Sequence, residues 1–411
     1  MTEAGEGQRG KAAGSNWPAV FAAFACGIAA SFNIGKVPIA LAQLRAEFGL
    51  SLVAAGWVAS TFNTLAVFTA IFFGMASDRV GHLRMVGVGL AISVVGGAVA
   101  LWAPGSGVLL GSRVLEGMGF LFVAVSAPGL ISAAAQPADR RLALGIWAAF
   151  MPGGVGLAMV LAPVVMPMGG WRALWLTAIA GFALAAVALA RYRRCYGHAH
   201  GVLPEHSFSV ARAAVAQPAP WLLALALSTW AVQYFALVVW LPTFLREQRG
   251  LAPTAVGLLT AAIVMINAPG TILGGALIQR HFRRGRLIMA ASAITCLLSL
   301  AIYLDGLPDL VRYFCCLALS LIGGLIPAAV LSSSLVLAKS PRQIGTLQGL
   351  FMQGGNLGQF VGPPLIAGLV AASGHWQDTL YVTGSAAALG LLLGVVIHRM
   401  ELRQERLPPA S

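Results

Sequence analysis

Twelve apolar stretches, each long enough to cross a lipid bilayer, take up nearly all of the 411-residue chain. They fall at 17–41, 54–76, 85–103, 108–135, 142–167, 172–190, 218–245, 254–277, 287–304, 310–338, 345–372 and 379–398. About 20 apolar residues of helix cross the hydrocarbon layer, where every backbone group must find its partner inside the helix. The sequence therefore reads as an all-α membrane protein with 12 transmembrane helices. Only 9% of residues are charged and 58% are hydrophobic, against about a quarter charged in soluble domains. That balance excludes a soluble enzyme, a disordered scaffold and a nucleic-acid-binding module, despite a net charge of +13. The first stretch opens at Trp17 after a polar start that includes Arg9 and Lys11; with eleven more behind it, it reads as a retained span and not a cleaved signal.

The polar segment 191–217 divides the chain into six spans and six. The expected organisation is an N-terminal tail (1–16), a six-helix bundle (17–190), a linker (191–217), a second six-helix bundle (218–398) and a C-terminal tail (399–411). Of the 26 Lys and Arg, 19 fall on the side that carries both termini and the linker, and five on the other; Lys36 and Arg113 lie within spans. Short cytoplasmic loops retain such residues, so both termini are expected in the cytoplasm. The halves echo one another at an offset of about 200. Gly154 stands nine residues before Pro163, as Gly354 does before Pro363, and Trp171 has a counterpart in Trp376. Gly74 precedes Asp78-Arg79 at the spacing with which Gly275 precedes Gln279-Arg280. Two pseudo-symmetric bundles of this kind place a transport site between them near the membrane midplane.

No cofactor or metal is expected. The five cysteines form no CxxC pair, and His198, His200 and His206 share a basic loop without clustered carboxylates or thiols. Nucleotide-binding and hydrolase motifs are absent.

The loop after the second span reads Gly74-Met75-Ala76-Ser77-Asp78-Arg79-Val80-Gly81-His82-Leu83-Arg84. Gly74 permits close helix approach, Asp78 can cap a helix and accept from a cation, and Arg79 and Arg84 can pair across the halves. This loop resembles the signature of the major facilitator superfamily, with Leu83 in place of the usual basic residue. With the six-plus-six layout, the resemblance covers nearly the whole chain. It implies that Gly74, Asp78, Arg79, Gly81 and Arg84 form a cytoplasmic gate motif, and that spans 1, 4, 7 and 10 line a central cavity.

Span 4 carries Arg113 and Glu116 three residues apart, hence on one helix face, followed by Gly117 and Gly119. Ionisable groups in a span are costly and mark pathways or relays. The stretch resembles the superfamily's second motif, whose arginine is associated with proton coupling, although Glu116 stands where Gln is common. The same pair could instead be a static ion pair that orders span 4. Span 1 carries Asn33 and Lys36, also on one face, ahead of Pro38. Lys36 and Arg113 each lie about 7 Å inside the ends of their expected spans, so Lys36 either faces the cavity beside Arg113 or snorkels to headgroups. Asn33 through Pro38 resembles the superfamily branch that includes cyanate and nitroimidazole porters. Two cations beside one carboxylate favour an anion.

Span 7 offers Trp230, Gln233 and Tyr234, a mixed aromatic and amide face suited to a planar or carbonyl-bearing ligand or to packing. Gln353, Asn356 and Gln359 in span 11 serve more as links between helices. Gly154, Pro163, Gly354, Gly358, Gly362 and Pro363 allow close packing and bending. The superfamily's antiporter motif is faded in span 5.

The expected function is proton-coupled secondary transport of a small anion by alternating access, in a monomer of the bacterial inner membrane. Asn33, Lys36, Arg113, Trp230, Gln233 and Tyr234 would bind substrate, and Arg113 with Glu116 would couple protons. Efflux of drugs or metabolites is the alternative; span 1 lacks the acidic residue common in exporters of cationic drugs.

Overall fold

Lipid imposes helix on every span, and the computed structural model is built of helices throughout the residues it describes: 14–196, 208–303, 306–338 and 340–406. Span 1 is Trp17–Phe48 and span 2 joins Leu52–Ser60, a 3-10 turn at Thr61–Asn63, and Thr64–Val80. Span 3 is His82–Leu101 and span 4 is Ser106–Ala134. Phe150–Arg191 holds spans 5 and 6, divided where Gly169 and Gly170 leave helical geometry. Span 7 is Pro218–Glu247, and span 8 is Pro253–Met265 continued by Asn267–Gln279. Span 9 is Arg284–Tyr303, and span 10 runs from Asp309–Gly323 through Leu325–Ser332. Span 11 is Pro341–Ser373 and span 12 is Thr379–Arg406.

Ten helical stretches among the described residues are long and apolar enough to cross a membrane. One of them, Arg140–Arg191, is two spans because of its glycine bend. The 33-residue span 11 makes the twelfth, its apolar character diluted by Gln353, Asn356 and Gln359.

The arrangement is inside-out by the standard of a soluble protein. Large apolar side chains face outward all round: Phe68, Leu184, Ile272 and Leu297 are 64–71% exposed. In water such a surface would aggregate; in hydrocarbon it is the solvated face. Helices instead approach each other through glycine. A Cβ at Gly154 would overlap the Ile28 carbonyl of span 1, and one at Gly354 would overlap the Ala224 carbonyl of span 7. Gly358 meets Ser228 in the same way. Span 5 on span 1 and span 11 on span 7 are thus the same contact made twice. Trp171 packs on Phe48, ring centroids 6.0 Å apart, and Trp376 on Trp240 at 5.9 Å.

Two span ends differ from the sequence reading in a way that matters. Span 1 continues through helix-forming residues to Phe48 and stops at Gly49, whose φ of 60° is left-handed; the apolar pattern alone ends it at 41. Span 4 opens at Ser106 and not 108. Lys36 therefore lies about 18 Å, and Arg113 about 10 Å, from the ends of their helices. Lys36 does not snorkel to headgroups, because its amine is wholly buried and paired with Glu116.

The halves meet through span 5 with the Pro253–Met265 part of span 8, and through span 2 with span 11. At the membrane side opposite the termini, Arg45 of span 1 pairs with Glu247 of span 7 at 3.0 Å. Deeper, Ser60 Oγ donates to the Gln359 carbonyl and Gln353 Nε2 to the Val67 carbonyl. Gln353 is therefore a link between helices, made across the two halves.

Candidate functional site

Inside the first six helices a charged cluster is closed off from solvent. Lys36 and Glu116 are wholly buried and Arg113 is 1% exposed. Lys36 Nζ donates to Glu116 Oε1 and to Asn33 Oδ1, each at 2.6 Å. Arg113 Nη1 pairs with the other carboxylate oxygen of Glu116. The guanidinium also donates to the Val58 carbonyl at 3.2 Å and the Asn33 carbonyl at 3.0 Å. One carboxylate thus holds two cations, and the cluster ties spans 1, 2 and 4 together.

Local sequence prepares each part. Asn33 and Lys36 are one helical step apart on span 1, as Arg113 and Glu116 are on span 4. Val58 lies just ahead of the 3-10 turn at Thr61–Asn63. Gly96 and Gly97 in span 3 leave room for the carboxylate: a Cβ on Gly96 would stand 2.9 Å from Glu116 Cγ. Aromatic faces close the site. Lys36 Nζ lies 4.2 Å from the Trp175 ring centroid in span 6, and the Arg113 guanidinium 4.8 Å from that of Phe62. Cations are attracted to such faces, most strongly where water is excluded.

The cluster is one negative charge short. Asn33 Nδ2 is buried and has no hydrogen-bond partner. The site therefore offers an unused donor beside two cations, a combination that an additional acceptor or anion would satisfy.

Trp230, Gln233 and Tyr234 sit together on span 7, apart from that cluster. Trp230 stacks on Tyr234 at 5.5 Å and fills the space left by Gly323 of span 10. Tyr234 reaches the Val264 carbonyl at 3.4 Å in span 8. Gln233 Nε2 donates to the Thr229 carbonyl of its own helix, while its Oε1 is buried without a partner. Asn356 likewise bonds its own helix, to the Met352 carbonyl.

Of the signature loop, Gly81 has φ 94°, a left-handed backbone that explains glycine at that place, and Arg84 is exposed. Gly74, Asp78 and Arg79 stand in the helix Thr64–Val80, with the side chains of Asp78 and Arg79 outside the described residues, as are His198, His200 and His206. No His, Cys, Asp and Glu group suited to a metal occurs among the described residues. The residues that sequence reasoning missed are Trp175, Phe62, Val58 and the Gly96-Gly97 pair. Only the paired glycines carried a local signal, namely room for a large neighbour.

Residues 20–363 match the Major Facilitator Superfamily. The chain is 29% identical over 256 residues to the cyanate transport protein CynX of Escherichia coli, covering 61% of this chain and 64% of that protein, just under two thirds of its length. It is 24% identical over 402 residues to the probable sulfoacetate transporter SauU of Cupriavidus necator, covering 88% and 89%. Among solved structures, a bacterial homolog of the human lysosomal transporter Spinster, inward-facing and unoccupied, aligns with a TM-score of 0.76. That alignment covers 97% of this chain and 100% of the other at 17% identity, a likeness of fold.

Proposed function

The chain belongs to the Major Facilitator Superfamily, and from that premise we propose that it moves a small organic or inorganic anion across the bacterial inner membrane, coupled to protons. The observation that carries this reading is the buried cluster with two cations, one carboxylate and an unpartnered Asn33 amide. Cyanate and sulfoacetate, the cargoes in the names of two relatives, are small anions. The excess of Lys and Arg on the side that bears the termini supports a cytoplasmic location for that side.

In this scheme Lys36 and Arg113 are the anion's partners, and Glu116 is their partner when no anion is bound. An anion that engages the two cations competes with the Glu116 carboxylate for them. The displaced carboxylate then takes a proton, so that the net charge of the buried cluster is the same with the anion bound as without it. Substrate and proton are thereby linked without direct contact. Trp175 and Phe62 cover the cations in the described conformation, so access requires the helices of the first half to shift. Trp230 and Tyr234 shape the opposite wall. The Arg45–Glu247 pair belongs to the gate on the periplasmic side and must break when that side opens. The protein acts as a monomer, one chain supplying the whole site.

The test is accumulation of labelled cyanate and sulfoacetate by proteoliposomes under an imposed pH gradient. Uptake that collapses with a protonophore is expected, together with loss of accumulation in Glu116→Gln and retention of anion exchange. Gradient-driven export of uncharged or cationic drugs, with no anion movement, would replace this reading with efflux.

A further inference from the structure

A column of aromatic side chains runs from the buried charged cluster towards the membrane side opposite the termini, within the first six helices. Trp171 and Trp175 stand four residues apart on span 6 and so share one helix face. Lys36 and Glu47 stand about three turns apart on span 1 and share another. Lys36 Nζ lies 4.2 Å from the Trp175 ring centroid. The Trp175 ring meets that of Trp171 edge to face, with centroids 5.1 Å apart and planes at 87°. Trp171 Nε1 donates to Glu47 Oε2 at 2.7 Å, and the same carboxylate accepts from Arg172 at 2.5 and 2.9 Å. Phe48 and the Arg172 guanidinium hold the Trp171 ring from further sides, at 6.0 and 4.6 Å.

An ammonium has three donors. Lys36 gives two of them to Asn33 Oδ1 and Glu116 Oε1, and the Trp175 face is the attractive surface left to the third. Trp175 is wholly buried and its Nε1 has no hydrogen-bond partner, so no bond of its own fixes how the ring is turned. Its neighbour Trp171 does have such a bond, to Glu47. The Glu47–Arg172 pair is partly exposed, at 37% and 47%, where an ion pair adds little to stability. What it supplies is aim. The carboxylate fixes the Trp171 indole, and the edge of that indole sets the angle of the Trp175 ring under the amine. We propose that Glu47 and Trp171 are positioning residues for Lys36, acting through Trp175 and setting the affinity of the charged cluster for its anion. This rests on the anion reading above and adds to it two residues that never touch the cargo.

The test pairs two readouts on the full-length protein. Fluorine NMR after labelling with fluorotryptophan, the Trp175 signal assigned by Trp175→Phe, reads the ring with no anion present. Glu47 reaches Trp175 by way of the Trp171 ring, so a shift of that signal is expected in Glu47→Ala. It should return in Glu47→Gln, whose amide oxygen can still accept from the indole. Initial rates of labelled cyanate or sulfoacetate uptake by proteoliposomes supply the second readout. KM should rise about fivefold in Glu47→Ala and Trp171→Phe, the scale of a weakened cation–π contact, with the maximal rate retained. Glu47→Gln should keep the parent KM. Thermal melting of each variant separates lost aim from lost fold. Trp171→Phe keeps a ring and drops only the N–H donor, so it carries the KM test if Glu47→Ala does not fold. The proposal is overturned if folded Glu47→Ala keeps the parent Trp175 signal, if the variants keep the parent KM, or if Glu47→Gln behaves like Glu47→Ala. A parent protein that moves neither anion refutes the anion reading alone, and the fluorine signal then decides the positioning.

Discussion

The two six-helix halves share a packing plan and differ in chemistry. Gly154 of span 5 against span 1 and Gly354 of span 11 against span 7 make the same contact, and Trp171 and Trp376 repeat the same aromatic capping. At the heart of the first half, however, spans 1 and 4 bring Lys36, Arg113 and Glu116 together. In the second half, span 7 meets span 10 through Trp230 against Gly323. Backbone approach is set by small residues, which tolerate little change, so the scaffold survives duplication. The side chains it carries are free to diverge. One half acquired charge and the other shape.

The largest effect expected from breaking this asymmetry comes from Glu116→Ala. It strands two buried cations, and losing one side of a buried ion pair costs about 3–5 kcal/mol. Unfolding in detergent should register that loss, or the variant should fail to accumulate. Among the described residues, none of the second half has a comparable buried charge to remove. Next come the paired glycines. Gly154→Ala and Gly354→Ala each force a Cβ against a carbonyl of the neighbouring helix, an overpacking cost of about 1–3 kcal/mol. Equal melting shifts would sharpen the comparison, whereas a large shift in only one would show that the packing plan is not shared. Smaller still is Arg45→Gln, because the Arg45–Glu247 pair is partly exposed and such pairs contribute about 0–1 kcal/mol. Its effect should appear in distances between spin labels on the two halves, with the far side more often open. The charge-swapped pair Arg45→Glu with Glu247→Arg should restore the parent distribution. Tyr234→Phe, which removes one long hydrogen bond to Val264, should move stability least.

Much of the fold was legible because a bilayer restricts the possibilities to long apolar helices, and the Gly and Pro echoes displayed the duplication. The helix-face pairs Asn33 with Lys36 and Arg113 with Glu116 were legible because spacing along one helix is a local property. What joined the two pairs was not. The bond from Lys36 to Glu116 spans 80 residues of sequence, and the Trp175 and Phe62 covers come from other helices. The end of span 1 was not legible, because its helix runs past the apolar stretch through polar but helix-forming residues such as Gln43, Arg45 and Glu47. Spacing left span 7 open to ligand or packing, and the partners that Gln233 finds on its own helix and Trp230 on span 10 were not legible in it.

Lys36→Met offers the most direct measurement, because it leaves Arg113 and Glu116 as a balanced pair and removes only the excess charge. Melting and pH-gradient-driven anion accumulation should be measured on the same proteoliposome-grade preparation. The account requires a melting temperature within a few degrees of the parent with accumulation abolished. A folded Lys36→Met protein that concentrates the same anion at the parent rate would contradict it.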